Sequence, residues 1–427
     1  VEKVKPVSDV IDLLTMGKTA RAAGRKLARL GTSHKNDALL AIADCLASNA
    51  AAILAANEQD LAAARTKGIG EALIDRLSLQ GNRLAGIIAD VRQVAALPDP
   101  VGEVIEANTL PNGLRLSRRR TALGVLGVIY EARPNVTVDV ATLAIKSGNA
   151  VILRGGSETI HSNRVLVDTI HAALSAAGVS PDSVQFIDST DRKYIGELLK
   201  LHEYVDLIIP RGGQSLHQFC RENSTIPVIT GGMGVCHIFV EPSADQAAAL
   251  RIIHNAKTQR PSACNSLSTL LVHEQIAATF IPQVIEYLGA SGVTFRADPT
   301  TLAISNGDPR VTAADDEAWN TEWLALILGI RVVDGIETAM QHIETHSTAH
   351  SDAILTQDMT NAARFVDEVD SAAVYVNAST RFTDGGQFGL GAEIAVSTQK
   401  LQARGPMGLR ELTSYKWVVE GDGQIRP

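Results

Sequence analysis

The sequence predicts an α/β protein with two parallel-sheet domains and a small additional β element. Three observations carry this. From Gly124, short apolar runs (GVLGVIY, NAVILR, SVQFID, VDLIIP, IPVIT) alternate with helix-like stretches, the pattern of βαβ units around a parallel sheet. From Val235 a second series follows, VCHIFV, LSTLLVH, GVTFRA, RVVDG, SDAILT and SAAVYVN, again with helices between. Outside both series lie an Asn-Gly hairpin and a C-terminal strand that can pair as a separate sheet.

Taken in order, the first hundred residues are rich in Ala, Leu and paired charges, with apolar residues at helical spacing, and read as amphipathic helices. Asn112-Gly113 in EVIEANTLPNGLRLSRRRT sits between alternating segments and marks the hairpin. The Gly-rich turn TGGMG at 230–234 separates the two series. The end, TSYKWVVEGDGQIRP, reads as a strand plus a tail. The resulting division is 1–106 with 122–230, then 231–376, a small sheet from 107–121 and 411–427, and a returning Gly-rich segment, 377–410. An unpaired sheet edge invites pairing with another chain, so a homo-oligomer is expected, a dimer or a dimer of dimers.

Composition narrows the function classes. The 427 residues carry 39 Lys and Arg against 47 Asp and Glu, net −8, which argues against a general nucleic-acid binder. No apolar run approaches the length of a membrane span, and the first residues (VEKVKPVSDV) lack the apolar stretch of a signal peptide. The four cysteines, Cys45, Cys220, Cys236 and Cys264, form no CxxC, which points to a reducing, cytoplasmic compartment.

Several familiar motifs are absent. MGKT at 16–19 ends like a phosphate-binding loop, but that loop requires Gly at position 12, which is Asp12. No GxGxxG follows a predicted strand. His346 and His350 are four apart without the Glu of HExxH, so no metal site is expected. Arg118, Arg119 and Arg120 read as a solvated or interface strand.

Among the cysteines, Cys45 in an Ala/Leu helix and Cys236 in an apolar strand read as inert core residues, and Cys220 has no base nearby. Cys264 lies in a loop, KTQRPSACNS, with Lys257 and Arg260 upstream. Such a cationic setting favours the thiolate, so Cys264 reads either as a nucleophile or as a buried structural thiol. Asn135 follows Pro134 at a strand-to-helix turn, where its carboxamide either stabilises an oxyanion or caps the helix. Arg154-Gly155-Gly156-Ser157 and Pro210-Arg211-Gly212-Gly213 each follow an apolar strand and precede a helix. Their backbone donors suit a nucleotide phosphate or ribose, or else the glycines only make tight turns.

The order of the Pro-Asn turn, the GNAVILRGGSE strand and turn, and the SACNS loop resembles the aldehyde dehydrogenase superfamily. Within it the chain is similar to the γ-glutamyl phosphate reductase family. The most specific segment is VVDGIETAMQHIETHSTAHSDAI, 332–354, which resembles that family's signature around His346-Ser347-Thr348, His350-Ser351-Asp352 and Ile354. Met340 departs from the usual Leu, Ile or Val. RGPMGLREL at 404–412 is similar to the family's C-terminal region, and the resemblance covers nearly the whole chain.

The resemblance implies an aldehyde dehydrogenase-like α/β fold with two Rossmann-like parallel-sheet domains plus a small β oligomerisation element. The first domain would bind the cofactor and the second would be catalytic. It implies NADPH-dependent reduction of L-glutamyl 5-phosphate to L-glutamate 5-semialdehyde, the second step of proline biosynthesis from glutamate. Cys264 would form a thioester and Asn135 would stabilise the oxyanion. The superfamily's water-activating Glu has no counterpart in TGGMG, as suits a reductase that must keep its thioester. Where the superfamily has Lys-x-x-Glu at the cofactor ribose, this chain has Arg154 and Ser157, which favours a 2′-phosphate and hence NADPH; Glu158 stands next in sequence. Glu322 resembles the superfamily's ribose-holding Glu, or is a surface carboxylate. Arg133, Arg260 and Arg381 are candidates for the substrate anions, or structural ion pairs, and Asp352 or Glu131 for its ammonium. His350 and Ser351 carry over as signature residues. Contact with the kinase that makes the labile acyl phosphate, glutamate 5-kinase, is a further expectation. The rivals are a hydrolytic or CoA-acylating aldehyde dehydrogenase, and a catalytically silent scaffold.

Overall fold

Asp12 starts the first helix, its carboxylate accepting the Thr15 backbone N–H at 3.1 Å. The computed structural model describes residues 11–231 and 233–426. The N-terminal stretch read for a leader and Gly232 of the 230–234 turn lie outside the described residues. The chain divides into two units: 1–230 with 390–395 and 407–427, and 231–389 with 396–406.

In the first unit five helices come first: α1 (Leu13–Leu27), α2 (Thr32–Ser48), α3 (Ala50–Thr66), α4 (Glu71–Leu77) and α5 (Arg83–Ala96). MGKT lies inside α1, so it forms no phosphate-binding loop. No single described helix is long and apolar enough to cross a membrane. The hairpin strands β1 (Val104–Thr109) and β2 (Arg115–Ala122) follow, closed by a Leu110 N–H to Leu114 carbonyl bond of 2.8 Å. Then come β3 (Val125–Tyr130), α6 (Asn135–Lys146), β4 (Ala150–Arg154), α7 (Ile160–Ala176), β5 (Val184–Phe186), α8 (Lys193–Leu198), β6 (Leu207–Arg211) and α9 (Gln214–Asn223). The strands form a parallel sheet in the order β5-β4-β3-β6. Every residue of β3 and β4 is buried, which explains their unbroken apolar runs: helices cover both faces. Strand order reverses between β3 and β6, so the loops after their carboxyl ends flank the switch point where α/β sheets bind ligands.

IPVIT was expected as a strand but makes only one bridge, Val228 to Ile208. Pro227 lacks an N–H, so this segment offers β6 its Pro227 carbonyl and Ile229 N–H and little more.

The second unit holds β7 (Cys236–Val240), α10 (Gln246–Thr258), β8 (Leu267–His273), α11 (Glu274–Gly289), β9 (Thr294–Ala297), α12 (Pro299–Ser305), β10 (Val311–Ala313), β11 (Ile327–Val333), α13 (Ile336–His346), β12 (Ser351–Leu355), α14 (Met359–Glu368) and β13 (Ala373–Val376). Its seven strands are parallel, ordered β10-β9-β11-β8-β7-β12-β13. Ile253, Leu270, Phe280 and Phe295 pack in its core. β11 begins four residues before the expected RVVDG, within a stretch read as a helix or loop start.

The short pair β14 (Ala395–Ser397) and β15 (Gly405–Met407) lies where the chain leaves and re-enters the first unit. β16 (Thr413–Glu420) joins β2 antiparallel, making a three-stranded sheet β1-β2-β16 that belongs to the first unit. Within the arginine triplet of β2, Arg118 pairs with Glu106 at 2.9 Å and Arg120 with Glu103 at 3.0 Å.

Candidate active site

Cys264 sits half-buried in the turn before β8, at the amino end of the second unit's sheet. At the opposite, carboxyl ends of β7 and β12, buried Glu241 accepts from Ser243, Thr356 and Asn361. Backbone bonds from Ala263 to the Arg260 carbonyl and from Ser266 to the Ala263 carbonyl wind the thiol turn. Its neighbour Asn265 was not singled out from sequence, yet it ties the returning loop down. Its amide donates to the carbonyls of Arg381 and Thr383, at 3.3 and 3.0 Å, and its own carbonyl accepts the Thr380 hydroxyl at 2.7 Å. The loop thereby brings Arg381 beside the thiol turn, with Nε donating to Gln259 at 2.8 Å. Burial, and then the neighbouring Arg260, hold the Arg381 pKa below its ordinary value, while Cys264 acts in the opposite direction. A thiol and two guanidinium groups thus share one region.

Met233, Gly234 and Val235 lock onto this loop and its surroundings. A Cβ on Gly234 would collide with the Cys264 carbonyl, so only glycine fits. The Gly234 N–H donates to Glu322 at 3.0 Å, and Ser268 donates to the Gly234 carbonyl at 3.3 Å. Thr348 accepts from the Val235 N–H and donates to the Met233 carbonyl. Burial pushes the Glu322 carboxyl up, opposed by the Gly234 N–H and by His350. Beneath the turn, Cys236 donates its thiol to the Cys264 carbonyl at 3.3 Å. Burial, followed by Asp352, pushes that thiol well above its usual range. Lys257, expected as an upstream cation, is instead buried, donates to the Leu267 carbonyl at 2.9 Å, and is pushed down to about 7 by burial.

Three substrate candidates need correction. His350, Ser351 and Asp352 are all 0% exposed. The Asp352 carboxylate accepts from the His237 backbone N–H and ring, Ser347 and Ser371, so it is already satisfied and meets no ammonium. His350 bonds Ser351, which bonds Thr383. The signature therefore braces the thiol side from within. Cys45 is also corrected: it is half-exposed, not core.

In the first unit, Glu131 and Ala132 follow the end of β3. Ala132 has φ +47°, a left-handed backbone that is uncommon without glycine. Its N–H donates to Glu158 at 2.8 Å, which turns that carboxylate back toward the β3 end. Arg133 is half-buried just before α6. Asn135 is the first helical residue, and Pro134 holds the N-cap position, so Asn135 is not itself the cap. Its amide donates to Asp139 at 2.8 Å. Burial pushes the Asp139 carboxyl up to about 6, with Asp90 adding and Arg211 opposing. Asp139 was not singled out from sequence, although one helical turn from Asn135 was the signal.

The strand-end glycines lie beside two carboxylates, Glu131 and Glu158. Gly213 precedes α9, and its N–H is held by Glu131 at 3.1 Å, an acceptor standing where a phosphate oxygen would bond. A Cβ on Gly212 would strike the Glu131 carboxylate, and one on Gly156 the Glu158 carboxylate, so each glycine lets a carboxylate pack against its backbone. Gly155 is buried and Ser157 exposed. A cavity of about 200 Å³ beside them is lined by Asp60, Lys67, Ser157, Glu158 and His161. Arg154 departs from expectation. It is 6% exposed, with its guanidinium donating to the Gly155 and Thr190 carbonyls, so it does not stand open to a ribose phosphate.

Two parallel sheets, a thiol turn at one sheet's amino end and a glycine-lined switch point on the other define an α/β class with a candidate nucleophile and a candidate nucleotide site. The aldehyde dehydrogenase family model matches residues 9–302, and the chain belongs to that family. A γ-glutamyl phosphate reductase of Aeromonas salmonicida is 58% identical over 96% of this chain and 99% of its own. The crystal structure of γ-glutamyl phosphate reductase from Thermotoga maritima, 48% identical, superposes with a TM-score of 0.95 over 98% of this chain and 100% of that one. An acetylating aldehyde dehydrogenase of Geobacillus thermoglucosidasius shares the fold at 18% identity and TM-score 0.68, covering 98% of this chain and 100% of that one. Within the family, the chain groups with the γ-glutamyl phosphate reductases.

Proposed function

We propose that the protein reduces L-glutamyl 5-phosphate to L-glutamate 5-semialdehyde and phosphate, the second step of proline biosynthesis from glutamate. The observation that carries this reading is Arg381 and Arg260 sharing a region with Cys264. Two guanidiniums beside a thiol suit an acyl phosphate, whose leaving group is a dianion. The Cys264 sulfur attacks the acyl carbon, the C–O bond to phosphate breaks, and a thioester forms. Asn135 donates an amide N–H to the oxyanion that develops during attack. The nicotinamide cofactor, when bound, supplies hydride to the thioester carbon. Cys264 then leaves as thiolate when the thiohemiacetal collapses to the aldehyde.

The 230–234 turn carries no carboxylate to activate water, which preserves the thioester until reduction. Glu322 has one oxygen on the Gly234 N–H and is the group proposed to hold the nicotinamide ribose. Gly155, Gly156, Gly212 and Gly213 would take the phosphates. NADPH is the preferred cofactor: Ser157 and Lys67 line the cavity next to these glycines and supply a hydroxyl and a cation for a 2′-phosphate, a role that buried Arg154 does not fill. Arg133 and Arg260 are proposed for the substrate anions, joined by Arg381.

The chain is proposed to act in the cytoplasm as a homo-oligomer, a dimer or dimer of dimers, paired through the β1-β2-β16 sheet. Transient contact with glutamate 5-kinase would shorten the path of a labile substrate, and co-purification of the two enzymes, or its absence, tests this. The catalytic reading is tested with Cys264→Ser. Loss of turnover with cofactor binding retained supports it, and full turnover contradicts it.

A further inference from the structure

We propose that Asp139 is a positioning residue, which holds the Asn135 carboxamide so that one amide N–H points into the protein and the other is presented to the oxyanion. This rests on the role proposed above for Asn135. Both residues lie on α6, one turn apart, with Nδ2 and Oδ2 separated by 2.8 Å. Asn135 lies one residue past the N-cap Pro134, and the bond its amide donates runs to Asp139 on the next turn. The turn that carries Asp139 is itself braced: Thr142 donates to the Asp139 and Val138 carbonyls at 3.0 and 2.9 Å.

The protonation state of Asp139 decides what it can hold. An ionised carboxylate only accepts, so it selects the Nδ2 side of the amide. A protonated carboxyl also donates, and so accepts the flipped amide, whose Oδ1 then takes the inward place. Three groups face Asp139 from its surroundings: Asn135 on its own helix, Asp90 on α5, and Arg211 at the end of β6. Burial is the largest influence and Asp90 reinforces it, while Asn135 and Arg211 oppose, leaving the carboxyl at about 6. Above that pH the amide is held in one orientation. Below it the orientation is lost, so turnover falls on the acid side.

The test is steady-state kinetics of phosphate-dependent semialdehyde oxidation from about pH 5 to pH 8, for wild type, Asn135→Ala, Asp139→Asn and the double variant. Asp139→Asn keeps the shape of the side chain, and cofactor binding checks that it folds. The expected result is a fall in kcat of about tenfold, with KM nearly unchanged and the acid limb near pH 6 gone. In the Asn135→Ala background the same substitution is expected to cost nothing more. An unchanged kcat and acid limb in Asp139→Asn, or an equal loss in both backgrounds, overturns the proposal. If Asn135→Ala itself keeps full turnover, the reading of Asn135 fails and the proposal falls with it. A slow Asn135→Ala beside a wild-type-like Asp139→Asn refutes the positioning role alone.

Discussion

Cys264 and Asn135 are separable by the size of their effects. Cys264→Ser removes the proposed nucleophile and is expected to abolish measurable turnover while a cofactor-titration signal persists. Asn135→Ala is expected to lower kcat by about 10²–10³-fold, read from single-turnover thioester formation, because one oxyanion donor is lost. Lys257 yields a stability prediction. Its ammonium is pushed down to about 7 by burial, against an ordinary value of 10.5. Between those values the unfolded chain binds one proton more than the folded chain, so stability rises with pH across that window. Chemical denaturation from pH 7 to 10 is expected to show this slope in wild type and to lose it in Lys257→Met. Cys264 and Asn135 were singled out as candidates because sulfur and carboxamide stand in recognisable local contexts. The burial of Lys257, Arg154 and Asp352 was not legible, since whether a charged side chain faces outward depends on strands distant in sequence.

At the scale of elements, the thiol turn is held by two fastenings. Gly234 packs against the Cys264 carbonyl, and Asn265 pins the loop that bears Arg381. Gly234→Ala must push the turn away, and is expected to lower kcat at least about tenfold and to lower Tm, because the collision is with backbone and cannot be relieved by a rotamer change. The strands themselves were largely legible. β3, β4, β7, β8 and β12 are apolar runs bounded by turn residues, and each forms where its run lies. β10, with the three residues Val311–Ala313, was missed because so short a segment carries no period. IPVIT failed for a local reason, Pro227.

For the whole molecule, the aldehyde dehydrogenase fold was legible from two successive βαβ series and a handful of motifs. The excursion of 390–395 into the first unit and the return at 396–406 was not, because short crossing segments have no sequence pattern of their own. The β1-β2-β16 sheet leaves Val104, Tyr415, Trp417 and Val419 exposed, with Arg118 stacked over Tyr415 and Trp417. Trp417→Lys places a charge on that face and is expected to lower the mass measured by light scattering, with each protomer still folded. The central claim is that phosphate, and not water, exchanges with the Cys264 thioester. It is tested most directly by following NADP reduction with L-glutamate 5-semialdehyde, with and without inorganic phosphate. Strict dependence on phosphate is the expected result. Equal rates in its absence would make the chain an ordinary aldehyde oxidiser and contradict the account.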